Sequence, residues 1–121
     1  MDDKQKIESG VQLYFDSMYE SSPEKVKKVF HTNAKITGYL HGKLSEMSVE
    51  DFAAFVESQQ PSPKDKGDEI LLEIVSCDIS GATASVRVRD AYIGLKFLDT
   101  LSFLKVDDEW VIYNKLYHVE S

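Results

Sequence analysis

Residues 82–106 read ATASVRVRDAYIGLKFLDTLSFLKV and decide the fold, because two runs of alternating apolar and polar residues flank a glycine. The same alternation continues on both sides of this stretch. It predicts four strands, at roughly 69–79, 82–93, 96–106 and 109–119. The predicted turns are Ser80-Gly81, Gly94-Leu95 and Asp107-Asp108. Strands joined by such short turns form an antiparallel meander.

The residues before the meander show the three-and-four spacing of amphipathic helices. A second helix is predicted after the serine cap that precedes Pro23, and a third begins after Ser48. A short strand is predicted at 34–41 and a loop at 59–68. Helices followed by an antiparallel meander are typical of an α+β fold, and the length suits one domain over residues 1–121. The first helix has its apolar stripe at Ile7, Val11, Tyr14, Phe15 and Met18.

Two-residue hairpin loops would fix which side chains share a face of the sheet. In that register Cys77 opposes Ala84, Val88 opposes Leu101, and Phe103 opposes Ile112. One face then collects most large apolar residues and should receive the helices. Its predicted members are Leu71, Val75, Cys77, Ala84, Val86, Val88, Tyr92, Phe97, Leu101, Phe103, Trp110, Ile112 and Leu116.

The same register places five polar residues, Glu73, Asp90, Asp99, Asn114 and His118, on the apolar face. Asp90 falls opposite Asp99, and two facing carboxylates raise at least one pKa. Because a buried ion without a partner is unfavourable, the pattern predicts a pocket where a ligand or water contacts these groups. For Glu73 and His118 the alternative of a solvated position at the rim stays open.

The opposite face mixes arginines with apolar and aromatic side chains, and this mixture suits a protein–protein interface. We therefore expect a homodimer through this face, with a monomer as the alternative. The predicted interface residues are Arg87, Arg89, Ser102, Tyr113, Lys115 and Tyr117.

Charge and cysteine content narrow the class of protein. The net charge of −7 argues against nucleic acid as a partner, because phosphate binding needs a basic surface. The single cysteine, Cys77, excludes an internal disulfide and fits a reducing compartment. No apolar run approaches the length that spans a membrane. We expect a cytoplasmic protein that does not bind membranes.

Two stretches resemble the nuclear-transport-factor-2-like superfamily, in its SnoaL-like and lumazine-binding branch. The first is VFHTNAKITGYLHGKL, with Phe30, His31, Ala34, Gly38 and Gly42 at the family's positions, and the second is FLDTLSFLKVDDEWVIYNKLYH. Thr32 and Glu109 depart from the family's usual proline and glycine. The resemblance spans the chain and implies a cone-shaped, strongly curved antiparallel β-sheet. Three N-terminal helices would close its concave face around a pocket, usually in a homodimer.

Candidate site residues follow from the predicted apolar face and from this resemblance. The candidate catalytic residues are Asp99, Asp90 and His31, as acids, bases or hydrogen-bond donors. His31 has an alternative role at the end of the second helix. The three histidines lack the spacing of a metal site, so we expect neither a metal nor a cofactor. The candidate pocket residues are Tyr14, His31, Tyr39, Phe55, Asp90, Tyr92, Phe97, Asp99, Leu101, Trp110, Ile112 and Asn114.

Three functions remain open from the sequence, because a fold does not specify a chemistry. The first is a domain that binds a small molecule in the cone. The second is an acid–base enzyme of the isomerase or dehydratase type that uses Asp99 or Asp90. The third is an interaction scaffold without a reaction, which would have a small or filled cone.

Overall fold

The computed structural model describes residues 1–121. Three helices and one further helical turn pack against a curved, unclosed sheet of six strands. None of the helices is long and apolar enough to cross a membrane. The elements, in chain order, are α1 (Asp3–Tyr19), α2 (Pro23–Val29), β1 (Phe30–Leu40), β2 (Lys43–Ser48), α3 (Val49–Ser58), α4 (Pro63–Lys66), β3 (Leu72–Ser80), β4 (Thr83–Tyr92), β5 (Leu95–Val106) and β6 (Glu109–Val119).

Side-chain caps begin the helices at the predicted places. The Ser22 hydroxyl accepts a hydrogen bond from the N–H of Lys25 at 3.2 Å, and Pro23 opens α2. The Ser48 hydroxyl likewise accepts from the N–H of Asp51 at 3.1 Å. A capping residue provides an acceptor for an N–H group that has no partner within the helix. Both predicted helix starts are therefore confirmed.

The strand order is β2-β1-β6-β5-β4-β3, and β3 to β6 form the predicted meander. The predicted α+β cone is confirmed, with one difference: β1 runs parallel to β6, so the sheet is mixed. β2 was not predicted, and the predicted loop contains α4. The parallel pairing of β1 with β6 joins the N-terminal third of the chain to its last strand.

Two hairpin turns lie one residue away from their predicted positions. The β3–β4 turn is Gly81-Ala82, and the β4–β5 turn is Ile93-Gly94, where φ is 48° and 77°. Two-residue hairpins of this kind need positive φ, which favours glycine inside the turn. The shift moves each register by two residues: Cys77 pairs with Val86, and Val88 pairs with Asp99. A shift of two leaves every side chain on its predicted face.

Two β-bulges place some side chains on the face of the sheet opposite to the predicted one. β3 carries one extra residue at Val75, and β6 carries one at Tyr113. A single inserted residue inverts the alternation on one side of it. Val75 is therefore 43% exposed, whereas Ile74 packs on the core. The predicted inward positions of Val75, Leu116, Glu73, Asn114 and His118 are wrong for this reason.

The core lies between the helices and the inner face of the sheet. The predicted α1 stripe is buried, and Phe103, Leu101 and Ile112 of the sheet are at most 2% exposed. With the exception of Phe15, these side chains belong to one contiguous cluster of 22 buried residues that joins α1, α2 and α3 to the strands. The helices thus cover the inner face, as the apolar pattern predicts, and leave the outer face open.

Candidate functional site

A narrow cavity lies in the cone between the helices and the inner face of the sheet. Thirteen residues line it, and ten of them are hydrophobic. The lining residues with polar side-chain atoms include Ser45, Asp90, Tyr92 and Lys115. The volume is about 50 Å³, which holds roughly four water-sized groups.

Two buried carboxyl groups stand beside the cavity on neighbouring strands. Asp90 and Asp99 are each 1% exposed. Asp90 pairs with Phe97, and Asp99 pairs with Val88, so the two aspartates are diagonal neighbours on the inner face. The prediction that they lie directly opposite each other is wrong, because the β4–β5 turn is displaced. Their placement on one face agrees with the prediction.

Tyr14 of α1 supports one of the two carboxyl groups. Its hydroxyl donates a hydrogen bond to Asp99 Oδ2 at 2.6 Å, and both side chains are buried. This bond joins the first helix to the fifth strand. Burial raises the pKa of Tyr14 well above its usual value, and the neighbouring carboxyl groups of Asp99 and Asp90 raise it further. Tyr14 therefore remains a neutral donor to Asp99 throughout the physiological range.

Burial raises the pKa of Asp90 well above that of an ordinary aspartate, because a charge is poorly solvated in the core. Interaction with Asp99 adds to the rise, and the charge of Lys115 opposes it. Burial also raises the pKa of Tyr92. The rise in pKa favours the protonated forms of Asp90 and Tyr92, in which each O–H group can donate and accept a hydrogen bond.

Three buried polar atoms of this cluster have no hydrogen-bond partner within the protein. They are Asp90 Oδ2, Asp99 Oδ1 and the Tyr92 hydroxyl oxygen. Buried polar atoms are nearly always paired in folded proteins, because an unpaired one weakens the fold. The three atoms belong to side chains of β4 and β5 that lie in or beside the lining of the cavity.

Lys115 is the functional candidate that sequence reasoning missed. Its side chain is directed inward, the residue is only 6% exposed, and Nζ contacts Met18 Sδ at 3.9 Å. No carboxylate oxygen lies within 4.0 Å of Nζ. Instead Nζ lies over three aromatic rings, a favourable cation–π arrangement. The distances to the ring centres are 4.8 Å for Tyr14, 4.7 Å for Phe52 and 5.7 Å for Tyr117.

The bulge at Tyr113 explains why Lys115 was assigned to the outer face. The segment from 110 to 119 has apolar or aromatic side chains at both odd and even positions, so alternation there fits either register. The bulge moves Lys115 and Tyr117 inward and moves Asn114 outward. Their predicted positions, in the dimer interface and in the pocket respectively, are therefore wrong.

The predicted pocket residues fall into three groups in the structure. Phe55, Asp90, Tyr92 and Phe97 line the cavity, and Tyr14 and Asp99 adjoin them. Leu101 and Ile112 are core residues with no exposed surface. The remaining four predicted pocket residues are not part of the cavity lining: His31, Tyr39, Trp110 and Asn114.

Three of these side chains lie in other surroundings. His31 stacks on Tyr113 with ring centres 4.6 Å apart, and its Nδ1 accepts a hydrogen bond from the N–H of Asn33 at 3.0 Å. Tyr39 is 66% exposed. The Trp110 indole N–H donates to Asp3 Oδ1 at 3.1 Å. Neither the catalytic nor the helix-capping role considered for His31 matches this geometry.

The other polar candidates lie outside the cavity too. His41 occupies the β1–β2 turn with φ of 51°, followed by Gly42. Glu73 is exposed on the outer face, 3.8 Å from Arg89. No group of three or more His, Cys, Asp or Glu side chains is arranged to hold a metal ion. The buried ionisable groups in or beside the cavity lining are thus those of Asp90, Asp99 and Lys115, together with the neighbouring Tyr14 and Tyr92.

Comparisons with known proteins agree with this architecture. A nuclear-transport-factor-2-like protein of unknown function from Silicibacter pomeroyi has the same fold, with a TM-score of 0.89 at 23% identity over 99% of this chain and 100% of that one. A second such protein, from Methylobacillus flagellatus, gives a TM-score of 0.85 at 29% sequence identity. The match covers 100% of this chain and 94% of that one. Aldolase FrzH from Cladobotryum is 24% identical over 105 residues, 87% of this chain and 82% of that protein.

The family assignment rests on a match over nearly the whole chain. Residues 2–118 match the family described as "Putative lumazine-binding". The two solved structures are described as nuclear-transport-factor-2-like proteins, and their TM-scores of 0.89 and 0.85 show that this chain has the same fold. The chain therefore belongs to this lumazine-binding family, within the SnoaL-like branch of the nuclear-transport-factor-2-like superfamily.

Proposed function

We propose that the protein, as one domain over residues 1–121, binds a small neutral molecule in the cone. The observation that carries this proposal is the set of three unpaired polar atoms beside an otherwise apolar cavity, on Asp90, Asp99 and Tyr92. Binding sites for small molecules combine apolar walls with a few convergent polar groups. The family's description, which names lumazine binding, supports binding of a small molecule without identifying it.

The neighbouring charges favour a carbonyl or hydroxyl oxygen as the group that enters. Asp90 and Tyr92 present O–H donors to the cavity, and the Lys115 amine presents N–H donors. A carboxylate entering the cavity would approach the buried Asp99. The cavity of about 50 Å³ has the size of one small polar end of a ligand. The scaffold hypothesis expects a small or filled cone, so this small cavity leaves that hypothesis open.

Cyclohexanone and cyclohexane, which differ by one carbonyl oxygen, test this proposal. We expect cyclohexanone to raise the melting temperature and cyclohexane to have a much smaller effect, because ligands stabilise the state they bind. Tyr92→Phe removes one hydroxyl from the lining and should weaken cyclohexanone binding. Tyr113→Phe, on the exposed outer face, is the matched control. Equal stabilisation by both compounds, or none by either, would contradict the proposal.

An acid–base reaction on the bound carbonyl is the second candidate function. It is favoured by two buried carboxyl groups in different environments, since Asp90 is held as a neutral acid while Asp99 accepts a hydrogen bond from Tyr14. Asp99 would then remove a proton next to the carbonyl, and Asp90 would donate to the carbonyl oxygen. The distant relative named as an aldolase supports chemistry at carbonyl compounds. Deuterium exchange into cyclohexanone, lost in Asp99→Asn, would report this activity.

The outer face of the sheet is our proposed homodimer interface. Arg87, Arg89, Ser102 and Tyr113 remain from the predicted set, and Leu116 joins them with 49% exposure. Exposed apolar side chains beside arginines are frequent in protein interfaces. We also propose a cytoplasmic location, which is supported by the single unpaired Cys77.

A further inference from the structure

We propose that Lys115 forms a covalent imine with a small aldehyde or ketone. This inference rests on the proposed binding of a carbonyl compound in the cone, and it assigns the amine of Lys115 as the group that reacts. Nothing in the family's description or in the relatives' names assigns a role to this lysine.

The geometry separates Lys115 from an ordinary structural lysine. Buried lysines are rare and are normally paired with a carboxylate. Lys115 Nζ has a thioether sulfur at 3.9 Å and three ring faces around it, and no carboxylate oxygen within 4.0 Å. The side chain also lines the cavity. The amine thus belongs to a residue that lines the cavity, and it has no ion pair to break before it reacts.

Three reactive groups lie in sequence across the inner face of the sheet. Lys115 pairs with Leu101, and Tyr117 pairs with Asp99, so Lys115 and Asp99 are diagonal neighbours on β6 and β5. Asp99 and Asp90 are diagonal neighbours on β5 and β4 in the same way. A nucleophilic amine therefore shares one surface with a carboxylate and a neutral carboxylic acid, a set that suits covalent catalysis at a carbonyl.

Imine formation balances with the groups present. The ammonium of Lys115 first gives up a proton to solvent water at the open side of the cavity, because no carboxylate oxygen lies within 4.0 Å of Nζ. The amine lone pair then forms a C–N bond with the carbonyl carbon as the C–O π bond breaks, and the carbonyl oxygen takes a proton from Asp90, which is reprotonated from the same water. After a second proton transfer from the amine, the oxygen leaves as water. An ammonium and a ketone thus become a protonated imine and water, with no change in charge. Asp99 Oδ1, which has no partner in the protein, would accept a proton from the adjacent carbon and yield the enamine.

Acetylacetone is a direct probe of the proposed amine, because a diketone condenses with a lysine to a stable enaminone that absorbs in the near ultraviolet. We expect one adduct per chain, with the mass of acetylacetone less one water, on the peptide that carries Lys115. Its formation should be at least ten times faster than on the exposed lysines. Lys105→Arg is the matched control, because Lys105 lies on β5 and pairs with Asp3 at 3.1 Å. That variant should react like the wild type, whereas Lys115→Arg should not react at this rate.

The peptide map of the wild type keeps the test decisive even where a Lys115 variant folds poorly. Adducts spread evenly over the exposed lysines, or an adduct in Lys115→Arg at the wild-type rate, would overturn the inference. Stabilisation by cyclohexanone without an adduct on Lys115 would also overturn it, while leaving the proposed binding function intact. Absence of both stabilisation and adduct would contradict the two together.

Discussion

Asp90 is an acid whose position in the fold sets its protonation. It lies on β4 with 1% of its surface exposed, and its inner-face neighbours from other elements are Asp99 of β5, Tyr14 of α1 and Lys115 of β6. Of these only Lys115 favours the charged form, and burial together with Asp99 outweighs it. The residue can therefore donate a proton at a pH where an exposed aspartate is fully ionised.

Asp90→Asn should change how stability depends on pH. Because the folded pKa is raised, the folded protein retains the Asp90 proton when the unfolded chain, with a pKa of about 4, has lost it. The contribution of Asp90 to the stability of the fold is therefore complete below about pH 4. It is lost as the pH rises toward the raised pKa of Asp90 in the folded protein. Over this pH range the free energy of unfolding of Asp90→Asn should rise relative to that of the wild type, by about 1.4 kcal/mol for each unit of the Asp90 pKa shift.

Urea unfolding at a series of pH values between 4 and 8 measures this difference. Asp78→Asn, on an exposed residue of β3, is the control and should follow the wild type. If the free energy of unfolding of Asp90→Asn does not rise relative to that of the wild type between pH 4 and pH 8, the pKa of Asp90 is not raised.

Among the elements, the parallel pair of β1 and β6 depends on a close approach at Gly38. A Cβ atom placed there would lie 2.6 Å from the carbonyl oxygen of Tyr117 and 2.7 Å from its ring. Such distances are well below van der Waals contact, so a side chain would force the two strands apart. Tyr117 lines the cavity, and Gly38 therefore helps to position one wall of the proposed site.

Gly38→Ala should lower the free energy of unfolding by about 1–3 kcal/mol, the usual effect of overpacking. It should also weaken the stabilisation by cyclohexanone, because displacement of β6 moves Tyr117 and Lys115. Thr37→Ala, at the preceding residue of β1, is the control for loss of strand propensity. Urea unfolding gives the free energy of unfolding of both variants, and thermal shift gives their stabilisation by cyclohexanone. Equal values for Gly38→Ala and Thr37→Ala would argue against a tight contact at Gly38.

The elements also show where sequence reasoning succeeded and where it could not. The caps of α2 and α3, the four meander strands and the Asp107-Asp108 turn follow from local chemistry, and all were predicted. The bulges at Val75 and Tyr113 were not, because each sits where apolar residues occupy consecutive positions. Alternation cannot locate an inserted residue in such a run. This one ambiguity put Asn114 in the predicted site and left Lys115 out.

For the whole molecule, the outer face of the sheet determines the expected assembly. Light scattering should give a mass of about twice 13.7 kDa if this face forms the proposed homodimer. Leu116→Arg places a charge on the outer face of the sheet and should yield the monomer mass. Ile70→Arg, at a residue that is 67% exposed and precedes β3, is the control and should leave the mass unchanged. A monomer mass for the wild type at micromolar concentration would exclude this dimer.

The hydrogen bond from Tyr14 to Asp99 spans 85 positions of the chain, and the contact of Lys115 with Met18 spans 97. During synthesis, the three helices are therefore complete long before the strands that cover their apolar faces exist. Contacts of such long range slow folding, and they leave apolar surface exposed on the growing chain in the meantime. The site is thus assembled late, once β6 has left the ribosome, and a chain truncated before β6 would lack Lys115 altogether.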